Sequence, residues 1–183
     1  MKQSFMSAIA GELAAQGVGT LRYQFPYMEQ GGKRVDPPAL CHATVRAAVA
    51  EATRLTGNGR LIAGGKSFGG RMTSQAQALS PLAGVLGLAF LGFPLHPAKK
   101  PSVDRAKHFS DVRIPMLFLQ GTRDELAELS LLEPITQELG THATLHKIEG
   151  ADHSFHVPAR SGRKDADILK ELAQAIAAWA NSL

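Results

Sequence analysis

Cysteine is nearly absent from this chain of 183 residues, which contains Cys41 alone. A single thiol excludes an internal disulfide framework and a zinc site built from cysteines. Long apolar runs are missing too: the uncharged, mostly apolar stretch at residues 81–97 is interrupted by glycines and is too short for a membrane span. Met1-Lys2-Gln3 leads into polar–apolar alternation and not into the apolar core of a signal peptide. We therefore expect a cytoplasmic protein.

Aromatic residues make up only 6% of the chain and charged residues 20%, against 44% of apolar residues. This composition is typical of a folded protein, and the length suits one domain better than two. The net charge is +4, but the basic residues do not cluster with aromatics, as a nucleic-acid surface would require. We predict a single domain over residues 1–183, with a solvated basic face and no nucleic-acid or membrane partner.

Helical and strand-like segments alternate along the chain. Helical spacing occurs at residues 5–13, after Asp36-Pro37, after Gly70, before Gly140 and at residues 169–179. Strand patterns occupy residues 18–25, 60–63, 84–91, 115–120 and 143–148. The alternation predicts an α/β fold with a mostly parallel sheet of about five strands and helices on both faces. Residues 84–91 are apolar on both faces, which is typical of a central strand in such a sheet.

Local signals predict where some elements begin and end. Asp36 followed by Pro37 predicts an N-cap and the first residue of a helix, and Gly57-Asn58-Gly59 predicts its end. Pro134 predicts a kink or a restart in a later helix. Residues 92–113 are predicted to be an irregular connection.

The segment Gly65-Lys66-Ser67-Phe68-Gly69 is a G-x-S-x-G motif between a predicted strand and a predicted helix. A serine there lies on a tight turn that projects its hydroxyl above the sheet. We expect both flanking glycines to be required, because a Cβ at either position would collide with the neighbouring strand and helix. The helix N-terminus favours developing negative charge, and the Phe68 N–H is the predicted oxyanion donor. The motif predicts Ser67 as a nucleophile.

Gly65-Lys66-Ser67 also resembles the end of the phosphate-binding pattern G-x-x-x-x-G-K-S. That pattern requires a glycine where this chain has Arg60, and a loop between the strand and the lysine. Here the strand runs directly into the glycines, so we reject a nucleotide site.

Two later strand ends carry the other polar residues that a serine nucleophile needs. Asp124 is predicted to orient an imidazole and stabilise its cation, although alone it could equally cap a helix beginning at Glu125. Glu125 is a weaker candidate for the same role. His153 lies closer to its strand end than His156 and is the predicted general base toward Ser67. These three residues each follow a different strand, in the Ser–Asp–His order of α/β-hydrolases.

The connection at residues 92–113 is the predicted wall of a substrate pocket, lined by Phe93, Leu95, His96 and Phe109. The basic residues of the same segment are interpreted as a solvated face, with preference for an anionic substrate as the alternative: Lys99, Lys100, Arg105 and Lys107.

The spacing His153-x-x-His156 places two imidazoles three residues apart. No helix is expected there, and no carboxylate stands at ligand spacing. We expect neither a metal nor a cofactor.

The chain resembles the small α/β-hydrolases of the dienelactone-hydrolase-like kind, in particular the branch similar to testis-expressed protein 30. Nearly the whole chain takes part in the resemblance, which rests on these segments: LRYQFPY at residues 21–27, GGKSFGGRM at 64–72, FLQGTRD at 118–124 and GADHSF at 150–155. The resemblance implies that Ser67 is the nucleophile, Asp124 the acid and His153 the base.

One departure from the family affects both the sheet and the site. Family members carry an apolar strand and a His-Gly-x-Gly-like loop ahead of the first helix, and that loop supplies a second oxyanion N–H. The present sequence begins after that loop, so residues 18–25 and 61–65 are expected to lose a ladder partner or to pair with each other. A start codon assigned too late is our preferred explanation, and a shortened protein with weak or absent catalysis is the other.

Two functions follow from these patterns. The first is a serine hydrolase that cleaves a small carboxylic ester or related acyl substrate through an acyl-enzyme on Ser67. The alternative is a non-catalytic interaction module of hydrolase fold, in which the exposed sheet edge could drive homodimerisation.

Overall fold

A computed structural model describes residues 4–57 and 59–183 of the chain. The expectations for Met1-Lys2-Gln3 and for Asn58 lie outside these described residues. Within them, no helix combines the length and the hydrophobicity that crossing a lipid bilayer requires.

The described residues form four strands and six α-helices in alternating order. The strands are β1 (Leu61–Lys66), β2 (Val85–Leu91), β3 (Met116–Gly121) and β4 (Ala143–Ile148). The helices are α1 (Ser4–Ala15), α2 (Pro26–Glu29), α3 (Pro38–Thr56), α4 (Phe68–Leu79), α5 (Leu129–Glu138) and α6 (Asp165–Ser182). A 3-10 helix, Asp104–Asp111, lies between β2 and β3, and two shorter ones flank β4: Gly140–His142 and Ala159–Ser161.

The four strands are parallel and lie in the order β1-β2-β3-β4, so each strand pairs with the next one along the chain. The α/β class and the parallel sheet are therefore confirmed. Four of the five predicted strands form within two or three residues of their predicted ends, and the sheet within residues 4–57 and 59–183 has four strands and not five.

The apolar side chains of the sheet bury two separate layers, because successive residues of a strand point to opposite faces. In β2, Leu88 and Phe90 pack toward α3, α4 and the 3-10 helix at 104–111, whereas Ala89 and Leu91 pack toward α1 and α6. The β2 strand is thus covered on both faces, as its apolar sequence predicts.

The strand predicted at residues 18–25 does not form. These residues have no regular secondary structure and join no ladder, and Val18 N–H instead donates to the Leu13 carbonyl at 2.9 Å. Local sequence predicts an extended backbone here, but a strand also needs a neighbour, and β1 pairs with β2 alone among the described strands.

A groove of about 610 Å³ separates residues 18–23 from the free edge of β1. Its walls include side chains of α1, α3 and α6, and Ser67, Asp124 and His153 do not line it. The two segments expected to lose a partner or to pair with each other, residues 18–25 and 61–65, therefore do not pair with each other across this groove.

Two smaller expectations also need correction. Asp36 does not cap α3: Pro37 occupies the N-cap position, and the Asp36 carboxylate accepts the Tyr27 N–H at 3.0 Å. Residues 92–113 are not irregular throughout, because the 3-10 helix at 104–111 buries Ala106 and Phe109. Pro134 lies inside α5, and the kink or restart expected there stays a prediction.

His108 gives the contact between the 3-10 helix and α4 a dependence on pH. Its Nε2 lies 2.7 Å from Ser74 Oγ on α4. Burial, with a smaller effect of the Arg71 charge, lowers the pKa of His108 from 6.5 to about 4. Asp111 opposes this shift and His42 adds to it.

We expect the stability of the fold to fall as the pH drops from about 6.5 to about 4. In that window the unfolded chain binds a proton at His108 that the folded chain does not, and the loss approaches about 2 kcal/mol. His108→Gln, which does not titrate, should flatten this part of the pH dependence in urea unfolding curves. Equal slopes for wild type and variant would contradict the assignment.

Candidate active site

The loops that follow β1, β3 and β4 meet at one edge of the sheet. Because all four strands are parallel, their carboxyl ends share that edge, where ligands bind in open α/β sheets. Ser67 directly follows β1, Asp124 lies three residues after β3, and His153 lies five residues after β4. The structure brings together these three residues that the sequence singles out.

Ser67 occupies a strained turn between β1 and α4. Its φ is 51° and its ψ is −117°, a conformation that costs a non-glycine residue about 1–3 kcal/mol. The Ser67 N–H donates to the Leu91 carbonyl of β2 at 3.0 Å, which anchors the turn to the sheet.

The close contact between β1 and α4 requires glycine at two positions. A Cβ on Gly65 would lie 3.1 Å from the Gly69 carbonyl carbon, and a Cβ on Gly70 would lie 2.8 Å from the Gly65 oxygen. A Cβ on Gly69 would meet nothing within 4 Å outside its own helix. The expectation that Gly69 is sterically required is therefore wrong, and Gly70 takes that role.

Hydrogen bonds join the three polar side chains in series. His153 Nε2 lies 2.8 Å from Ser67 Oγ, and His153 Nδ1 lies 2.7 Å from Asp124 Oδ2. An ionised carboxylate can only accept, so Nδ1 carries the hydrogen and Nε2 is left to accept the hydroxyl proton of Ser67. This tautomer is the one that a general base requires.

Asp124 is the last residue of this series, and its side chain is fully buried. Its Oδ2 also accepts the Gln120 amide N–H at 2.5 Å, and its Oδ1 accepts the Leu126 N–H at 2.8 Å. A buried carboxylate with these three donors is held in one orientation. Glu125 is exposed and α5 begins only at Leu129, so neither the helix-cap alternative nor the Glu125 alternative describes the observed contacts.

Phe68 is the first residue of α4. The first N–H groups of a helix have no partner within the helix, and the helix dipole adds partial positive charge there. Its N–H, next to Ser67 in the chain, is therefore suited to donate a hydrogen bond to an oxyanion that develops on a bound acyl group.

The residues predicted to form the pocket wall lie elsewhere. Phe93 and Phe109 are 1% exposed, while Leu95 and His96 are fully buried, so none of them lines an open pocket beside Ser67. The reason is aromatic packing: the rings of Phe93 and Phe109 contact each other and both contact Phe118, which draws the connection into the core. The His96 ring contacts Glu128.

The two histidines of the predicted His-x-x-His pair point to different partners. His153 joins Asp124, whereas His156 Nδ1 lies 2.9 Å from an Asp165 carboxylate oxygen. Within residues 4–57 and 59–183, no group of three or more histidine, cysteine, aspartate or glutamate side chains is arranged to hold a metal ion.

Comparison with known proteins agrees with the fold. The family described as "Alpha/beta hydrolase domain" matches residues 1–181. The chain belongs to this alpha/beta hydrolase family.

Solved structures with the same fold include three bacterial proteins. An alpha-beta serine hydrolase homologue from Coxiella burnetii has 18% identity and a TM-score of 0.75, over 96% of this chain and 77% of the other. An a/b serine hydrolase without lid from Xanthomonas campestris has 21% identity and a TM-score of 0.73, over 98% and 75%. The esterase domain of a Rhodothermus marinus protein has 17% identity and a TM-score of 0.69, over 98% and 80%. At these identities the likeness shows the fold.

Two side chains that support this hydrolase-family site were not singled out from the sequence. One is Gln120, whose Oε1 accepts the Phe93 N–H at 3.0 Å while its amide donates to Asp124. The other is Lys66, whose ammonium donates to the His153 carbonyl at 2.7 Å. The position of Lys66 next to Ser67 was a signal that Lys66 belongs to the site. Its hydrogen-bond partner, however, lies 87 residues away along the chain, and no local pattern predicts that contact.

Aromatic rings enclose the Lys66 ammonium. It lies 4.9 Å from the ring centroid of Phe5 and 5.3 Å from that of Phe155. Burial lowers its pKa, and the negative charges of Asp124 and Asp152 oppose that shift. Lys66 thus ties the turn that carries Ser67 to the loop that carries His153.

We expect Lys66→Met to loosen the His153 loop while keeping an apolar stem between the two rings. Losing a charge-assisted hydrogen bond should raise amide hydrogen exchange in residues 150–156 by about tenfold. Exchange–mass spectrometry measures this, with β3 amides as the internal reference.

Lys66→Arg keeps a donor and is the matched control, so its exchange should stay near that of the wild type. Unchanged exchange in Lys66→Met would show that the contact does not hold the loop.

Proposed function

We propose that this chain is a serine hydrolase that cleaves a small carboxylic ester or related acyl substrate through an acyl-enzyme on Ser67. The observation that carries the proposal is the series from Ser67 Oγ to His153 at 2.8 Å and on to the buried Asp124 carboxylate at 2.7 Å. Nucleophile, base and orienting carboxylate within hydrogen-bond reach are the parts that such catalysis requires.

In the first half-reaction His153 Nε2 takes the Ser67 hydroxyl proton while Oγ forms a bond to the carbonyl carbon of the substrate. The carbonyl oxygen becomes an oxyanion, which accepts the Phe68 N–H. As the intermediate collapses, the bond to the leaving alkoxide breaks. His153 then returns the proton to the alkoxide, and an alcohol departs.

In the second half-reaction a water molecule takes the place of the Ser67 hydroxyl. His153 accepts a proton from the water, whose oxygen attacks the acyl carbon. The bond to Oγ breaks, Oγ regains its proton from His153, and a carboxylic acid is released. Asp124 stays ionised throughout and stabilises the imidazolium that forms twice.

The names of similar proteins support the same class of chemistry. The Rhodothermus marinus structure is named an esterase domain, the Xanthomonas campestris protein a member of the a/b serine hydrolases, and the Coxiella burnetii protein a serine hydrolase homologue. The finer membership in the dienelactone-hydrolase-like branch remains a prediction from the sequence motifs.

We expect a fluorophosphonate probe to label the folded protein covalently and Ser67→Ala to abolish the label. The reason is that the probe reacts with serine hydroxyls activated by a base. Gel fluorescence measures the label, and the hydrolysis of p-nitrophenyl butyrate should fall at least about 10³-fold in the same variant.

Ser110→Ala is the matched control, because Ser110 is an exposed serine whose hydroxyl contacts only the Lys107 carbonyl of its own turn. Folded wild-type protein that neither takes the label nor cleaves the ester would overturn the proposal and favour the non-catalytic interaction module.

A further inference from the structure

Arg71 is a cationic residue near the nucleophile, and the proposed mechanism gives it no role. It lies one helical turn after Ser67, and its N–H donates to the Ser67 carbonyl at 3.2 Å. Its side chain leans back along α4, as helical side chains do, so that its guanidinium carbon lies 5.4 Å from the centroid of the Phe68 ring. This places the positive charge over the first turn of α4, next to the residue whose N–H faces the reacting carbonyl.

The guanidinium of Arg71 lacks a counter-ion in the described part of the chain. Its Nε is buried without a hydrogen-bond partner there. The ion pairs formed by residues 4–57 and 59–183 do not include Arg71. A half-buried charged donor without a partner is costly, and folded proteins keep few of them.

A second arginine adds positive charge near Arg71. Arg105 of the 3-10 helix lies close enough that its charge, after burial, is the next largest cause lowering the pKa of Arg71. Its Nη1 donates to the Pro94 carbonyl at 3.2 Å, and the same set of ion pairs does not include it. Two neighbouring arginines without a carboxylate between them repel each other unless an anion joins them.

Both arginines belong to segments that border the reacting groups. Arg71 stands on the helix that begins after Ser67. Arg105 is bonded to the connection after β2, where a Cβ on Gly92 would lie 3.5 Å from His153 Nδ1. Because the Arg71 guanidinium leans back to the Phe68 ring, an anion held there lies at the end of α4 that follows Ser67.

We infer that Arg71, assisted by Arg105, binds a carboxylate of the substrate, so that the preferred esters are half-esters of short dicarboxylic acids. A carboxylate suits the site because the planar guanidinium pairs with it through two parallel hydrogen bonds. The inference rests on the proposed function, since it names the substrate class of the same site. For Arg105 it favours the anionic-substrate alternative over the solvated face that the sequence analysis preferred.

The first test compares two p-nitrophenyl esters of similar length, the hemisuccinate with a free carboxylate and the neutral butyrate. The quantity measured is the ratio of their kcat/KM values. We expect Arg71→Met to lower this ratio by about 10- to 100-fold, the effect of removing a charged hydrogen-bond partner. Arg71→Lys should restore part of it. An unchanged ratio in an active Arg71→Met protein would overturn the inference.

Arg113→Gln is the control for charge alone, because Arg113 is exposed just after the 3-10 helix and its loss changes the net charge equally. In this variant the ratio should stay within about twofold of the wild-type ratio, because the long-range effect of one exposed charge is small. If Arg71→Met does not fold, Arg105→Met replaces it in the test. The kcat/KM ratio should again fall, and an unchanged ratio in an active protein would again overturn the inference.

The second test separates binding from turnover. Calorimetry with Ser67→Ala protein should detect monomethyl succinate but not methyl butyrate, and adding Arg71→Met should remove the binding. If the wild type is inactive, this experiment still tests the inference. Binding of monomethyl succinate that depends on Arg71 would then mean that the carboxylate site exists and that only the hydrolase proposal fails. Absence of binding in that case overturns the inference as well.

Discussion

The hydrogen bond between His153 and the buried carboxylate of Asp124 fixes the chemistry of this site. Because an ionised carboxylate accepts only, it assigns the imidazole hydrogen to Nδ1 and leaves Nε2 facing Ser67. Gln120 and the Leu126 N–H hold the same carboxylate from two further sides. The parallel sheet serves this arrangement by bringing three strand ends to one edge, and Lys66 ties two of the resulting loops together.

The two apolar layers determine which parts of the chain can contribute to the site. Aromatic packing around Phe90 and Phe118 draws the connection after β2 into the core, so its rings support the sheet and leave the surface beside Ser67 to other residues. The first turn of α4 and the 3-10 helix supply two arginines there. We infer that the Arg71 guanidinium, which forms no ion pair among residues 4–57 and 59–183, favours substrates that bring their own negative charge.

The sequence predicts the parts of the fold that depend on local pattern. Apolar β2, the longer helices and the positions of Ser67, Asp124 and His153 after strand ends could be found because turn chemistry and periodicity are local. The absence of a strand at residues 18–25 was not predictable, since a ladder depends on a distant partner. The burial of Phe93 and Leu95, the requirement for Gly70 and the Lys66 contact with His153 likewise arise only when distant segments pack together.

The central claim is that Ser67 carries the acyl group during turnover. Intact-protein mass spectrometry after a rapid acid quench during p-nitrophenyl butyrate hydrolysis tests it most directly. The account predicts a species heavier by one butyryl group, with the modification on the peptide containing Ser67. Hydrolysis that proceeds without this species, or with the butyryl group on another residue, would contradict the account.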